Sequence, residues 1–218
     1  MKNNVIEAVR REKLIAIIRG VSGDALLRTA EALIKGGVRL AEITFDQSGK
    51  ISKQETGEMI AKVVSNFGSE LLVGACTVLT PEEGKITMEA GGKYLISPNT
   101  NEKVIAFANE NGLVSMPGAM TPTEIEHAYS CGADFVKIFP GEGLGLSYIK
   151  AVRAPLSHIP LLAVGGVDLN NIGDFFKAGA CGVGIGSNIV KKDLIAAGEY
   201  DKLTELAAAY CNKIAELN

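Results

Sequence analysis

The stretch LLAVGGVDLNNIGDFFKAGACGVGIGS (161–187) decides the fold. It holds two short apolar runs, LLAVGG (161–166) and GVGIGS (182–187), on either side of a segment with helical character, NNIGDFFKAGACG. Strand, helix and strand at that spacing make a βαβ unit, with parallel strands covered on both faces. The same alternation recurs toward the N-terminus. Apolar runs stand at LIAIIR (14–19), LAEITF (40–45), LLVGACTV (71–78), YLISP (94–98), LVSMPG (113–118) and FVKIFP (135–140). Glycines at 36–37, 91–92, 112, 132 and 179 precede the next run, where a left-handed residue ends a helix. Thr80-Pro81-Glu82-Glu83 and Thr121-Pro122-Thr123-Glu124 carry the capping and first-turn residues of helix starts. Eight strand–helix units without a linker predict an α/β fold, a (β/α)8 TIM barrel forming a single domain over 1–218. A doubly wound open sheet is the competing arrangement, but the first strand is not followed by GxGxxG.

Composition narrows the function. Hydrophobic residues make up 47 % and charged residues 22 %, enough to build a sizeable core. The net charge is −3 with no basic block, which argues against a nucleic-acid partner. No run approaches the roughly 18 apolar residues of a membrane span, and the N-terminal segment is charged, so a cytoplasmic location without membrane contact is expected. Cys76, Cys131, Cys181 and Cys211 form no CxxC pair, and neither His127 nor His158 falls in a metal motif. No metal and no other cofactor are expected.

The informative residues are the charges inside apolar strands. Arg19 ends the first, Glu42 lies within the second and Lys137 within the sixth. A buried ion pair serving stability alone is the plain alternative, but such pairs stabilise poorly, and barrel enzymes keep their chemistry at the C-terminal ends of strands. Phe135, Lys137 and Phe139 share one face. Strands two and six have the same parity, so Glu42 and Lys137 can occupy one interior layer. A neutral lysine amine attacks a ketone to form an iminium that acts as an electron sink, and a nearby carboxyl can shuttle protons. Gly165-Gly166 and Gly186-Ser187, after strands seven and eight, suit a phosphate, unless they are ordinary turns with Ser187 as a cap. Arg19 offers a fork to a carboxylate, and Thr77 adds a hydroxyl near the same mouth.

At these residues the chain resembles the 2-keto-3-deoxy-6-phosphogluconate/4-hydroxy-2-oxoglutarate aldolases over almost its whole length. The matching segments are LIAIIRG (14–20), KGGVRLAEIT (35–44), VGACTVLTPEE (73–83), LISPN (95–99), MPGAMTPTE (116–124), VKIFP (136–140), AVGGV (163–167) and GIGS (184–187). LIAIIRG and VKIFP look like the 6-phosphogalactonate branch. The resemblance implies a metal-free class I aldolase with a barrel fold, usually a homotrimer, acting on a small keto acid. It implies Lys137 as the Schiff-base lysine and Glu42 as the proton shuttle. Thr77, Pro98 and Phe139 match pocket positions around pyruvate, Arg19 a carboxylate-binding arginine, and Gly165, Gly166, Gly186 and Ser187 the phosphate loops. Gluconate-type members carry Arg where this chain has Asp46, which leaves the physiological keto acid open.

Such an enzyme would cleave a 2-keto-3-deoxy-6-phospho-sugar acid or 4-hydroxy-2-oxoglutarate to pyruvate and glyceraldehyde 3-phosphate or glyoxylate. The competing readings are a phosphosugar isomerase using Glu42 as base and a non-catalytic phosphosugar sensor.

Overall fold

In this computed structural model, residues 2–141 and 143–217 are described. The strands are β1 (Leu14–Ile18), β2 (Leu40–Thr44), β3 (Leu72–Cys76), β4 (Tyr94–Ile96), β5 (Val114–Met116), β6 (Gly118–Ala119), β7 (Val136–Ile138), β8 (Leu161–Val164) and β9 (Gly182–Ile185). The helices are α1 (Lys2–Glu12), α2 (Gly23–Lys35), α3 (Lys53–Phe67), α4 (Pro81–Glu89), α5 (Glu102–Glu110), α6 (Pro122–Ser130), α7 (Gly145–Arg153), α8 (Ile172–Lys177), α9 (Lys192–Ala197) and α10 (Tyr200–Ala215). Every strand pairing is parallel.

The strand order is β5-β4-β3-β2-β1-β9-β8-β7-β6, and β1 pairs with both β2 and β9. The two outermost strands, β5 and β6, follow one another in the chain, so the sheet rolls up into a nearly closed barrel with helices outside. The (β/α)8 expectation holds, with one difference. The run LVSMPG (113–118) is two strands, because Pro117 has no N–H to donate. Its lower half pairs with β4 and its upper half with β7. Gly118 is required there, since a Cβ would fall 2.4 Å from the Pro98 carbonyl.

Side chains alternate as a period of two demands. Ala41, Ile43, Val73 and Ala75 point outward into the layer shared with the helices, while Leu40, Cys76, Tyr94, Val114, Phe135 and Leu162 fill the interior. A Cβ on Gly74 would lie 2.2 Å from the Tyr94 ring, so that glycine makes room for the largest interior side chain. The Tyr94 hydroxyl donates to the Ala41 carbonyl at 2.6 Å, which satisfies its polar end. Helix α1 closes the floor, burying Val5 and Val9 against the interior cluster. Lys2 anchors it through an ion pair with Asp134 at 3.0 Å.

Among the described residues, three helices begin with complete capping boxes, at Ser52/Glu55, Thr80/Glu83 and Thr121/Glu124, and the last two carry Pro in the first turn as expected. Gly37, Gly91, Gly112, Gly132 and Gly179 all have positive φ at the returns to the sheet. Among the described residues no helix is long and apolar enough to cross a membrane.

Candidate active site

The C-terminal ends of the strands open into a cavity of about 610 Å³. Nine of the residues singled out by the sequence line it: Arg19, Thr77, Pro98, Lys137, Phe139, Gly165, Gly166, Gly186 and Ser187. The tenth, Glu42, is buried in the barrel interior at 1 % exposure.

Lys137 is fixed by the strand that carries it. Its N–H donates to the Pro117 carbonyl at 2.8 Å, and its backbone pairs with Gly118 on one side and Leu162 on the other. The side chain is 4 % exposed, and its Nζ lies 4.6 Å from the centre of the Phe139 ring. Phe135, Lys137 and Phe139 thus share the inward face, as alternation requires.

Burial pushes the Glu42 carboxyl above the usual carboxylate range, while the Lys137 charge, a hydrogen bond from Cys76 and the Arg19 charge pull the other way. Its Oε2 has no hydrogen-bond partner among the described residues. Desolvation, reinforced by the Glu42 charge, pushes the Cys76 thiol up to about 12, so that it remains a neutral donor. The Thr77 hydroxyl donates to Cys76 Sγ at 3.8 Å, extending the contact toward the mouth. Thr77 itself has φ 58°, a left-handed conformation that a β-branched residue adopts only under constraint. The constraint is visible. Gln47 donates to the Thr77 carbonyl at 3.3 Å and to the buried Glu83 carboxylate at 3.0 Å, while Val78 N–H donates to Ile96 O.

Across the cavity, Gly165 and Gly166 have φ 100° and 72°, a consecutive left-handed pair. Asn171 donates to Gly166 O at 2.7 Å and Asn188 to Val167 O at 2.8 Å, which ties the loops after β8 and β9 together. Ser187 does not begin a helix. Ile189 and Val190 N–H groups fold back onto Gly186 O in a turn, and α9 starts only at Lys192. An anion here would meet turn amides and glycine backbone.

Asp46 is half-buried and turned into its own loop. It lines an adjoining cavity of about 490 Å³, to which Arg19 and Thr77 also contribute. Its carboxylate accepts from Ser48 N, Ser48 Oγ, Lys50 N and Ile51 N at 2.9–3.0 Å. These bonds, led by Ser48, hold it at about 2.

Cys76, Asn188 and Lys192 line the main cavity without having been picked out. Cys76 could have been found by parity, since it lies inward on the strand beside Glu42. Nothing in the spacing marks Lys192.

Residues 5–206 match the model of the KDPG and KHG aldolase family. The chain is 36 % identical over 199 residues to a 2-dehydro-3-deoxy-6-phosphogalactonate aldolase of Escherichia coli (strain K12), covering 90 % of this chain and 92 % of that protein. It is 32 % identical over 207 residues to a 2-dehydro-3-deoxy-phosphogluconate aldolase of Treponema pallidum (strain Nichols), covering 93 % and 94 %. A solved structure described as native KDPGal superposes with a TM-score of 0.83 at 34 % identity, over 94 % of this chain and 95 % of that one.

Proposed function

Because this chain belongs to the KDPG and KHG aldolase family, and so is a carbon–carbon lyase, we propose that it works through a Schiff base on Lys137. The substrate class is a 2-keto-3-deoxy-6-phospho-sugar acid or 4-hydroxy-2-oxoglutarate, and the products are pyruvate and an aldehyde. The observation that carries this reading is a lysine buried to 4 % exposure on an apolar strand, with a buried carboxyl whose Oε2 is unpartnered in the same interior.

The neutral amine of Lys137 adds to the keto carbon, and the resulting carbinolamine loses water to give an iminium. A base removes the proton of the C4 hydroxyl, the C3–C4 bond breaks, the aldehyde leaves, and the electron pair passes into an enamine. Protonation at C3 and hydrolysis return pyruvate and the free lysine. Glu42 suits both proton roles, since burial raises its affinity for a proton while Lys137 opposes that rise. Thr77, Pro98 and Phe139 surround the keto acid, and Arg19 takes its carboxylate. Gly165, Gly166, Gly186 and Ser187 hold the phosphate. No metal or other cofactor enters these steps, so exhaustive chelation leaves turnover unchanged.

Of the two substrate branches, Asp46 favours the galactonate side. Its carboxylate organises its own loop, where gluconate-type members carry Arg. The enzyme is cytoplasmic, in keeping with four free cysteines, and assembles as a homotrimer. Exposed Met120 and Tyr129 offer apolar surface for that assembly. Light scattering that returns the mass of a single chain would remove the trimer.

The decisive experiment is incubation with pyruvate and borohydride, followed by digestion and mass spectrometry. The pyruvate-derived mass is expected on Lys137. Label on another lysine, or none, would overturn the assignment and favour an isomerase or a sensor.

A further inference from the structure

Away from the mouth, the start of α5 and the end of α6 bring three unlike side chains together. Glu102 is the first residue of α5, His127 lies in the last turn of α6, and Cys131 caps that helix. His127 Nε2 stands 2.9 Å from Glu102 Oε1 and 3.9 Å from Cys131 Sγ, and the three ligand atoms lie within 4.8 Å of one another. Residues four apart on a helix share a face, which accounts for the imidazole and the thiol. The carboxylate arrives from a different helix.

A tetrahedral divalent ion with bonds of about 2.0–2.3 Å spaces its ligand atoms by roughly 3.3–3.7 Å. The observed separations of 2.9 and 3.9 Å fall on either side of that range. An ion pair between Glu102 and His127 would explain two of the groups and leave the thiol without a reason to be there. Here one ring nitrogen faces both an oxygen and a sulfur. Imidazole, thiolate and carboxylate together select a borderline-soft ion such as zinc over magnesium or calcium, which take oxygen ligands.

We propose that Glu102, His127 and Cys131 form a binding site for a zinc-class divalent ion that ties α5 to α6. The fourth position opens to water, since the His127 and Glu102 side chains are 51 % and 68 % exposed. None of the three lines the catalytic cavity, so the role of the site is structural, and turnover does not depend on it. Spacing along the chain shows only the His127–Cys131 pair, and the third ligand comes from the fold.

Cobalt(II) is the probe, titrated into the reduced, metal-stripped full chain and followed by its thiolate charge-transfer absorption. One equivalent per chain is expected to saturate the band, and zinc is expected to displace it. Cys131→Ser and His127→Ala should abolish the band, and Cys181→Ser should keep it. Glu102→Gln should weaken binding by at least the roughly 10–100-fold that losing even an outer-shell partner costs. Zinc should raise the melting temperature of the wild type and not of Cys131→Ser, a comparison that also shows the variant to be folded. A band that is absent, or that survives both Cys131→Ser and His127→Ala, would overturn the site.

Discussion

The Nζ of Lys137 faces the ring of Phe139, 4.6 Å from its centre, from two residues back along the same inward face. An aromatic face attracts a cation by about 0.5–1 kcal/mol at exposed sites and about 2 kcal/mol when desolvated. The ring would stabilise the iminium in the same way. Phe139→Leu is therefore expected to lower kcat/KM by about 2- to 30-fold, and Phe139→Tyr to restore most of it. Steady-state kinetics on the phosphorylated keto acid decide the matter, and an unimpaired leucine variant would reduce the ring to a wall.

Glu42 sets function against stability. Its carboxyl is raised by burial, so the folded protein holds that proton more tightly than the unfolded chain. The stability contribution of a raised group is fully present below its unfolded pKa and lost as pH rises through the folded one. Glu42→Gln, which cannot ionise, should melt higher than wild type at pH 8, with the difference shrinking toward pH 5. Each 1 kcal/mol relieved corresponds to roughly 2–4 °C in a chain of this size. The same variant should turn over about 10²–10⁴-fold more slowly while still trapping pyruvate. Equal melting temperatures across the pH range would mean that the burial of this carboxyl carries no penalty.

Asp46 makes a prediction of opposite sign. Held at about 2, it stabilises its loop above the unfolded carboxyl pKa, and that contribution disappears as pH falls through the folded value. Asp46→Ala should raise KM and quicken proteolysis between residues 46 and 52. Asp46→Arg should not confer gluconate-type preference, because the loop that presents position 46 loses the carboxylate that folds it. A gain of gluconate-type activity in the arginine variant would show that the loop rebuilds around a substrate contact.

The phosphate loops can be separated from the keto-acid site. Ser187→Ala should lower kcat/KM by about 10–150-fold for a phosphorylated substrate, the equivalent of roughly 1.5–3 kcal/mol for one hydrogen bond to a charged group. The unphosphorylated counterpart should be nearly unaffected. Gly186→Ala should fold normally, since its Cβ would meet only Ile17 at 3.7 Å, yet place a methyl group where the anion approaches. Gly166, at φ 72°, should tolerate alanine less well in a melting experiment. Parallel losses on both substrates would assign these loops to the fold alone.

What could be read in advance was whatever depends on the period of a strand or the end of a helix. The inward placement of Lys137 and Phe139, and the left-handed Gly132 and Gly179, follow from position along the chain. Relationships between distant segments could not be read that way. Helix α1 reads as a charged surface segment, and only the barrel floor gives Val5 and Val9 something to cover. The split at Pro117 depends on where the neighbouring strands stop. The fit of Gly74 to Tyr94 needs the register of β3 on β4. Asp46 was legible as a departure from a family pattern, but its direction was set by the Ser48 hydroxyl and the backbone amides of Ser48, Lys50 and Ile51, a local turn that the spacing does not mark.

The cyclic strand order has a consequence for synthesis on the ribosome. From β2 to β5 each new strand can dock on the one made just before it, and so can each from β7 to β9. The far edge of β1 is the exception. Its partner is β9, through Leu14–Val183 and Ile15–Gly184, so it waits until β9 has been translated. An unpaired, strongly apolar strand edge is a template for adhesion between chains. The growing chain therefore carries this apolar border, LIAII, from the time it is made until residues 182–185 emerge to cover it.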